Sequence, residues 1–327
     1  MFHEKCKSKS ILPFCIYHFA LAVLHSAPLR IFAPSRALRF ISSIPFVISV
    51  LWAASLIRPS IAEELPVDQS TSATLEKIAS AVPGTLGYCV MTVDGELIFS
   101  RNAAVSFPQA SAIKIPILLE ALAQREAGNL DWNKRITIEK ANQVGGTGVL
   151  ASLSDNGSQL SIGDLAVLMI LVSDNTATNI LIEHVGMPHV TTRMASLGCP
   201  NTKLQRVMMD TAAAARGEEN LSTPAEAARI MQILAQGEFL NRQASNEALA
   251  ILRKPKSTAV RKAIPAEIPV ASKPGAIPGV ATEWALVESP ERPYVIALMG
   301  KDGKETEFVR AFTEITECVH HDIAEQQ

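Results

Sequence analysis

The order of elements along the chain predicts an α+β fold of the α/β-sandwich kind. An antiparallel sheet of about five strands is flanked by terminal helices, and an all-helical block is inserted at about residues 111–253. Three observations predict it. Strand-like runs lie near both ends of the region after residue 63 and not in its middle. The middle carries apolar runs long enough for helices. A helix-period run also opens and closes the region, so strands from both ends can form one sheet with those helices on one face.

Each element has its own signal. Leu75, Ile78, Ala79 and Val82 have helical spacing within residues 67–81. Residues 86–92 and 96–100 read as two strands, and Asp94-Gly95 between them is a strong hairpin turn. A helix is expected over 111–124, stopped by Gly128 and Asn129. Two further apolar runs fill 162–172 and 176–185. Thr223-Pro224-Ala225-Glu226 opens a third helix running to Leu234, with proline near its first turn, and 242–252 form a fourth. Residues 202–222 carry little regular signal, as functional loops often do. Strands are expected at 269–273, 281–288 and 294–300, the last two joined by the turn Ser289-Pro290-Glu291-Arg292-Pro293. A helix over 308–324 closes the chain. No internal repeat is visible.

The first 62 residues have a different character. Arg30, Arg36 and Arg39 precede an apolar run from Phe40 to Ile57, and Ser60-Ile61-Ala62 follows before Glu63-Glu64. Basic residues, an apolar run and a small-x-small site are the layout of a secretory signal, here an unusually long one. Cleavage is expected after Ala62, with export to the periplasm or the medium. Left uncleaved, the same run approaches the length of a spanning helix and would be the protein's one membrane attachment. The expected organisation is therefore a leader over 1–62 and one domain over 63–327.

Composition narrows the function. The chain has 327 residues, a formal charge of -2 and 19% charged residues, so no basic excess points to nucleic acid. Five cysteines (Cys6, Cys15, Cys89, Cys199, Cys318) form no CxxC pair. Two lie in the leader, and the odd three that remain imply no disulfide framework. The seven histidines include no His-x-His-x-Asp, and His320-His321 read as surface residues of the last helix. Gly145-Gly146-Thr147-Gly148 lacks the lysine-serine ending of a phosphate loop. No metal and no cofactor is called for. A small-molecule substrate and a monomer are expected.

Three short motifs carry chemistry. In Phe107-Pro108-Gln109-Ala110-Ser111-Ala112-Ile113-Lys114, a serine and a lysine lie three residues apart at a helix start, where their side chains share a face. Ser-Asp-Asn occurs twice. Ser154-Asp155-Asn156 sits in a polar stretch of turn composition, whereas Ser173-Asp174-Asn175 is wedged between two apolar runs, which a surface turn explains poorly. Lys-x-Gly also occurs twice. Lys301-Asp302-Gly303 connects the last strand to the last helix, and Lys273-Pro274-Gly275 ends a strand with two more to come. The copies at Ser173 and Lys273 are the ones placed to meet Ser111.

Ser-x-x-Lys, Ser-Asp-Asn and a lysine-x-glycine strand, in that order, resemble the signature of class A β-lactamases and penicillin-binding proteins. The resemblance covers essentially all of 63–327 and includes Phe107-Pro108, Gly145-Gly146-Thr147-Gly148, Asp174-Asn175-Thr176-Ala177 and Ser222-Thr223-Pro224. It implies the β-lactamase/transpeptidase fold and opening of the β-lactam ring through an acyl-enzyme on Ser111. Lys114 would accept the serine proton, for which burial must lower its pKa. Ser173 would pass a proton to the departing nitrogen. Asn175 would bind the substrate's side-chain amide. Lys273 would attract the substrate carboxylate and tune Ser173. The backbone N–H groups of Ser111 and Ala276, the latter next to Gly275, would form the oxyanion hole.

Two positions depart from the pattern. Pro274 stands where the third motif has threonine or serine, so the hydroxyl that binds a substrate carboxylate is missing. The hydrolytic glutamate is missing as well. Its place in the irregular loop Leu204-Gln205-Arg206-Val207-Met208-Met209-Asp210-Thr211-Ala212 falls near Met208. Asp210 is the nearest acid and either orients a water or pairs with Arg206. Glu218 and Glu219 are expected to be solvated. Acylation without a base for the second half-reaction leaves three readings: a slow lactamase, a D-alanyl-D-alanine peptidase or esterase, and a sensor that stays acylated.

Overall fold

The strand-like runs from the two ends of the chain do meet in one sheet. The structure is a computed structural model and describes residues 69–153, 157–290 and 292–325. The leader expected over 1–62 and the first Ser-Asp-Asn copy at 154–156 lie outside the described residues.

Helix α1 (Gln69–Ser80) leads into a hairpin of β1 (Thr85–Thr92) and β2 (Leu97–Arg101). The hairpin turns at Asp94-Gly95, where the Thr92 N–H donates to Glu96 O at 2.9 Å. The short strand β3 (Phe107–Pro108) and a 3-10 turn (Ala110–Ile113) precede α2 (Lys114–Glu126). After β4 (Arg135–Thr137) and β5 (Gln159–Ser161) come α3 (Ile162–Leu171), α4 (Asn175–Val185), α5 (Met187–Ser196) and α6 (Thr211–Ala215). Strand β6 (Leu221–Ser222) is followed by α7 (Pro224–Gln236), α8 (Arg242–Leu252) and α9 (Ala259–Ala263). The chain ends with β7 (Val270–Ile277), β8 (Val280–Val287), β9 (Tyr294–Lys301) and α10 (Glu305–Glu325).

The sheet has five strands in the order β2-β1-β9-β8-β7, and each neighbouring pair is antiparallel. One apolar cluster packs its inner face, including Trp284, Val295, Ala297 and Met299, against α2, α3, α7 and α8. A second packs the outer face, including Tyr294, Ile296 and Leu298, against Leu75 of α1 and Phe308, Phe312 and Ile315 of α10. With both faces covered, every residue of β8 is buried. Each fully buried aromatic of α10 contributes about 1.5–3 kcal/mol.

Local chemistry sets the helix ends that matter most. The Thr223 side chain accepts the Glu226 N–H and Pro224 takes the first helical position, so α7 starts where its sequence indicates. Asp174 caps α4 by accepting the Ala177 N–H at 2.9 Å.

Four expectations need correction. The helix at Ser111 begins as a 3-10 turn, and its α-helical part starts at Lys114. The stretch 202–222 contains α6 and β6, and β6 pairs with β3 in the register Phe107↔Ser222. Strand β7 continues through Pro274 to Ile277, because a proline on an edge strand removes no ladder hydrogen bond. His320 is half-buried, with its ring 6.2 Å from that of Tyr294. Helix α5, outside the expected elements although Pro188 in its first turn is a start signal, fills the connection after Gly186.

Candidate active site

The turn before α2 is fixed by one buried amide. Gln109 is fully buried and its Nε2 donates to Phe107 O at 2.8 Å. Its Oε1 accepts from Trp284 Nε1 at 2.9 Å, and its backbone O accepts from Thr282 Oγ1 at 2.9 Å. Three contacts to β3 and β8 thus lock the chain just before Ser111. Ala110 then adopts a left-handed φ of 45°, sparsely populated for a residue with a Cβ, and the 3-10 turn carries Ser111 and Lys114 on one side. Strain of this kind persists only where its surroundings over-determine it, and such places are often functional.

Strand β7 passes against that turn. A Cβ on Gly275 would lie 2.6 Å from Ser111 N and 2.8 Å from Ala112 N, so only glycine permits this approach. Because Pro274 has no N–H to give β8, its nitrogen faces away from the ladder. Backbone groups alternate along a strand, so the Ala276 N–H faces the same open edge, on the side of Ser111. The two amides expected to bind an oxyanion therefore flank one space.

The Ser173 copy of Ser-Asp-Asn meets the lysine. Lys114 Nζ donates to Ser173 O at 2.7 Å, to Ser173 Oγ at 2.9 Å and to Asn175 Oδ1 at 2.9 Å. Ser173 has a left-handed φ of 53°, which turns the chain between α3 and α4 so that carbonyl and hydroxyl face the same amine. Lys114 is completely buried, and burial pushes its ammonium down to about 7 although Asp174 nearby favours the charge. Asp174 also holds the glycine loop: its Oδ2 accepts the Val149 and Leu150 N–H groups at 2.6 and 2.9 Å. Asn175 Nδ2 donates to Gly145 O at 3.0 Å, which leaves one of its N–H bonds for another acceptor.

Lys273 is nearly as buried, at 2% exposure, and its Nζ donates to Pro274 O at 2.6 Å. Burial holds its ammonium well below the usual lysine range, and the charges of Lys114 and Lys256 push the same way. The rival lysine, Lys301, is placed elsewhere. Its Nζ donates to Ser106 O and lies 5.2 Å from the centre of the Phe107 ring.

The loop after α5 forms the facing wall. Arg206 Nη2 donates to Glu219 Oε2 at 2.9 Å, closing the neck of the loop. Asn220 Oδ1 accepts the Gln205 and Arg206 N–H groups at 2.7 and 3.0 Å. Asn179 clamps Met208 from α4: its Oδ1 accepts the Met208 N–H at 2.8 Å and its Nδ2 donates to Met208 O at 3.0 Å. Met208 thereby lines one cavity of about 390 Å³ together with Ser111, Thr147, Asn175 and Ala276. Two sequence expectations fail here. Arg206 pairs with Glu219 and not with Asp210, which leaves Glu219 half-buried and unlike a solvated acid. Asp210 lines the cavity but also caps α6, its Oδ1 accepting the Ala213 N–H at 2.9 Å.

Sequence reasoning missed Gln109, Asn179 and Asn220. The first adjoins the serine motif and the second lies four residues after Asp174-Asn175, yet neither spacing has a signature of its own. In sum, the structure brings together Ser111, Lys114, Ser173, Asn175, Gly275 and Ala276, with Lys273 behind them on β7.

The chain is similar to known proteins over nearly its whole described length. The family model described as "Beta-lactamase enzyme family" matches residues 70–323. An imipenem-hydrolyzing β-lactamase of Enterobacter cloacae is 28% identical over 66% of this chain and 76% of its own length. The crystal structure of a β-lactamase from Sphaerobacter thermophilus superimposes with a TM-score of 0.74 at 31% identity, covering 79% of this chain and 99% of that one. The structure of PBP-A shares the fold with a TM-score of 0.71 at 24% identity, covering 79% and 97% of the two chains. The chain belongs to the beta-lactamase enzyme family, hydrolases that act on β-lactams.

Proposed function

We propose that this protein is a serine hydrolase that opens the β-lactam ring through an acyl-enzyme on Ser111 and releases the acyl group slowly. The observation that carries the reading is the Lys114 amine. It is buried, depressed to about 7, and held 2.9 Å from the Ser173 hydroxyl at the turn that bears Ser111.

Ser111 Oγ attacks the lactam carbonyl as Lys114, in its neutral form, takes the serine proton. The new oxyanion lies between the Ser111 and Ala276 N–H groups, where preorganised donors stabilise it. Gly275 allows β7 close enough to supply the second donor. As the ring C–N bond breaks, the proton passes from Lys114 to Ser173 Oγ and on to the departing nitrogen. Lys273 tunes Ser173 only in the fraction of molecules where it keeps its proton, a contribution that its burial reduces, and Asn175 offers its remaining Nδ2–H to the substrate's side-chain amide.

Met208 supports the slow second half-reaction. A thioether cannot activate water, and Met208 lines the cavity at Ser111 near the place where the motif pattern has its glutamate. Asp210 is read as a helix cap. The same absence favours a second reading, a D-alanyl-D-alanine peptidase, an esterase or a sensor that stays acylated on this scaffold. A mutant of PBP-A in an acyl-enzyme complex with penicillin G is an instance of this fold holding such an adduct. The leader and the family together support export.

Labelling by a fluorescent penicillin tests the assignment. The wild-type protein becomes labelled and Ser111→Ala does not. Labelling retained in Ser111→Ala removes Ser111 as the nucleophile.

A further inference from the structure

The cavity at Ser111 provides for an acyl group but not for a carboxylate. Its walls include Met208, Met209, Ala214, Ile277 and Pro278, a largely apolar seat. Arg206 is the one cation lining it among the described residues, and Glu219 and Val207 O already engage that guanidinium. Two acids, Asp210 and Glu219, line the same space. A carboxylate brought in would lose water and meet more acid than base.

The strand beside the serine offers no substitute. Lys273 does not line the cavity, and its Nζ is turned into its own strand onto Pro274 O. Pro274 has neither a hydroxyl nor an N–H. Across the ladder from Pro274 stands Glu283, again an acid, fully withdrawn into the far side of the sheet beside the Val260 N–H. Burial also favours the uncharged form of Lys273, which weakens its pull on an anion.

We propose that the site takes acyl donors with an apolar acyl part and no carboxylate on the leaving side, that is, uncharged lactams or esters in preference to lactam acids. The proposal rests on Ser111 being acylated, as read above. In the step, the Ser111 Oγ–carbonyl bond forms and the carbonyl–nitrogen or carbonyl–oxygen bond breaks. The serine proton ends on the leaving nitrogen or oxygen.

Benzylpenicillin and its methyl ester differ only at this group. The rate of Ser111 adduct formation with each, read by intact mass on the full chain, decides between them. The ester is expected to react about tenfold faster or more. Pro274→Thr, which restores a hydroxyl at the edge, is expected to raise the rate for the acid about tenfold and to leave the ester's rate within about twofold. Equal or faster reaction of the acid in the wild-type protein overturns the proposal while leaving Ser111 acylation intact. An unchanged acid rate in a folded Pro274→Thr overturns the role given to that edge. No adduct from either probe, in protein with a native circular-dichroism spectrum, removes Ser111 acylation and the proposal with it.

Discussion

Lys114 shows how much one residue depends on its surroundings. In water its amine would hold a proton to about pH 10 and could not accept another. Burial lowers that to about 7, so near neutrality half of the molecules carry a free base. The acylation rate should therefore rise about tenfold per pH unit below 7 and level off above it. A stopped-flow pH profile of adduct formation checks this, and a rate flat from pH 5 to 8 contradicts it. The choice of the Ser173 copy was legible in the sequence, because it is wedged between two apolar runs while the copy at Ser154 sits in turn composition. The pairing of Arg206 with Glu219 was not. The two lie thirteen residues apart across a loop with no period, and Asp210 was nearer in sequence.

Among elements, the decisive relation is between the turn at Ser111, strand β7 and the loop clamped by α4. The first two were legible as a helix start and a strand. Their meeting was implied by the motif pattern, but the run of β7 past the turn was not, since Pro274 marks an end to a strand when read locally and only an edge position lets β7 run on to Ile277. The clamp was hidden too. Asn179 is one amide on a helix face, and only the folded chain shows that it satisfies both backbone groups of Met208. Asn179→Ala leaves that N–H and C=O unpaired in a largely buried place. It should cost about 1–3 kcal/mol in urea unfolding and slow acylation. A loss under about 0.3 kcal/mol would mean that solvent reaches the loop backbone freely.

For the whole molecule, one sheet separates two cores, and charges are buried on both sides of its edge strand. That the ends of the chain share a sheet was legible from strand runs bracketing a helical middle. Burial of Lys114 was implied by its expected role, but buried charge at Lys273 and Glu283 was not, because nothing in the local sequence around a charged residue reports burial. It has a consequence for stability. Unfolded lysines keep their protons to about pH 10, whereas Lys114 and Lys256 release theirs near 7 and 8 when folded. The unfolded chain therefore binds more protons across that window, and unfolding free energy should rise with pH from about 7 to about 10. Glu283 acts in the opposite sense. Burial raises its pKa, so it lowers stability as pH climbs above the ordinary carboxylate range. Urea midpoints between pH 7 and 10 test the lysine contribution, and a midpoint that falls steadily over this window contradicts it.

At the same scale, function comes down to a balance between acylation and release. The most direct measurement is a time course of the penicillin adduct by intact mass, made on the wild-type protein and on Met208→Glu after free drug is removed. A single adduct on Ser111 should form and persist in the wild type. Met208→Glu, which places a carboxylate against the cavity, should clear it about a hundredfold faster. Rapid hydrolysis by the wild-type protein with no accumulated adduct, or equal clearance in the two proteins, would contradict the account.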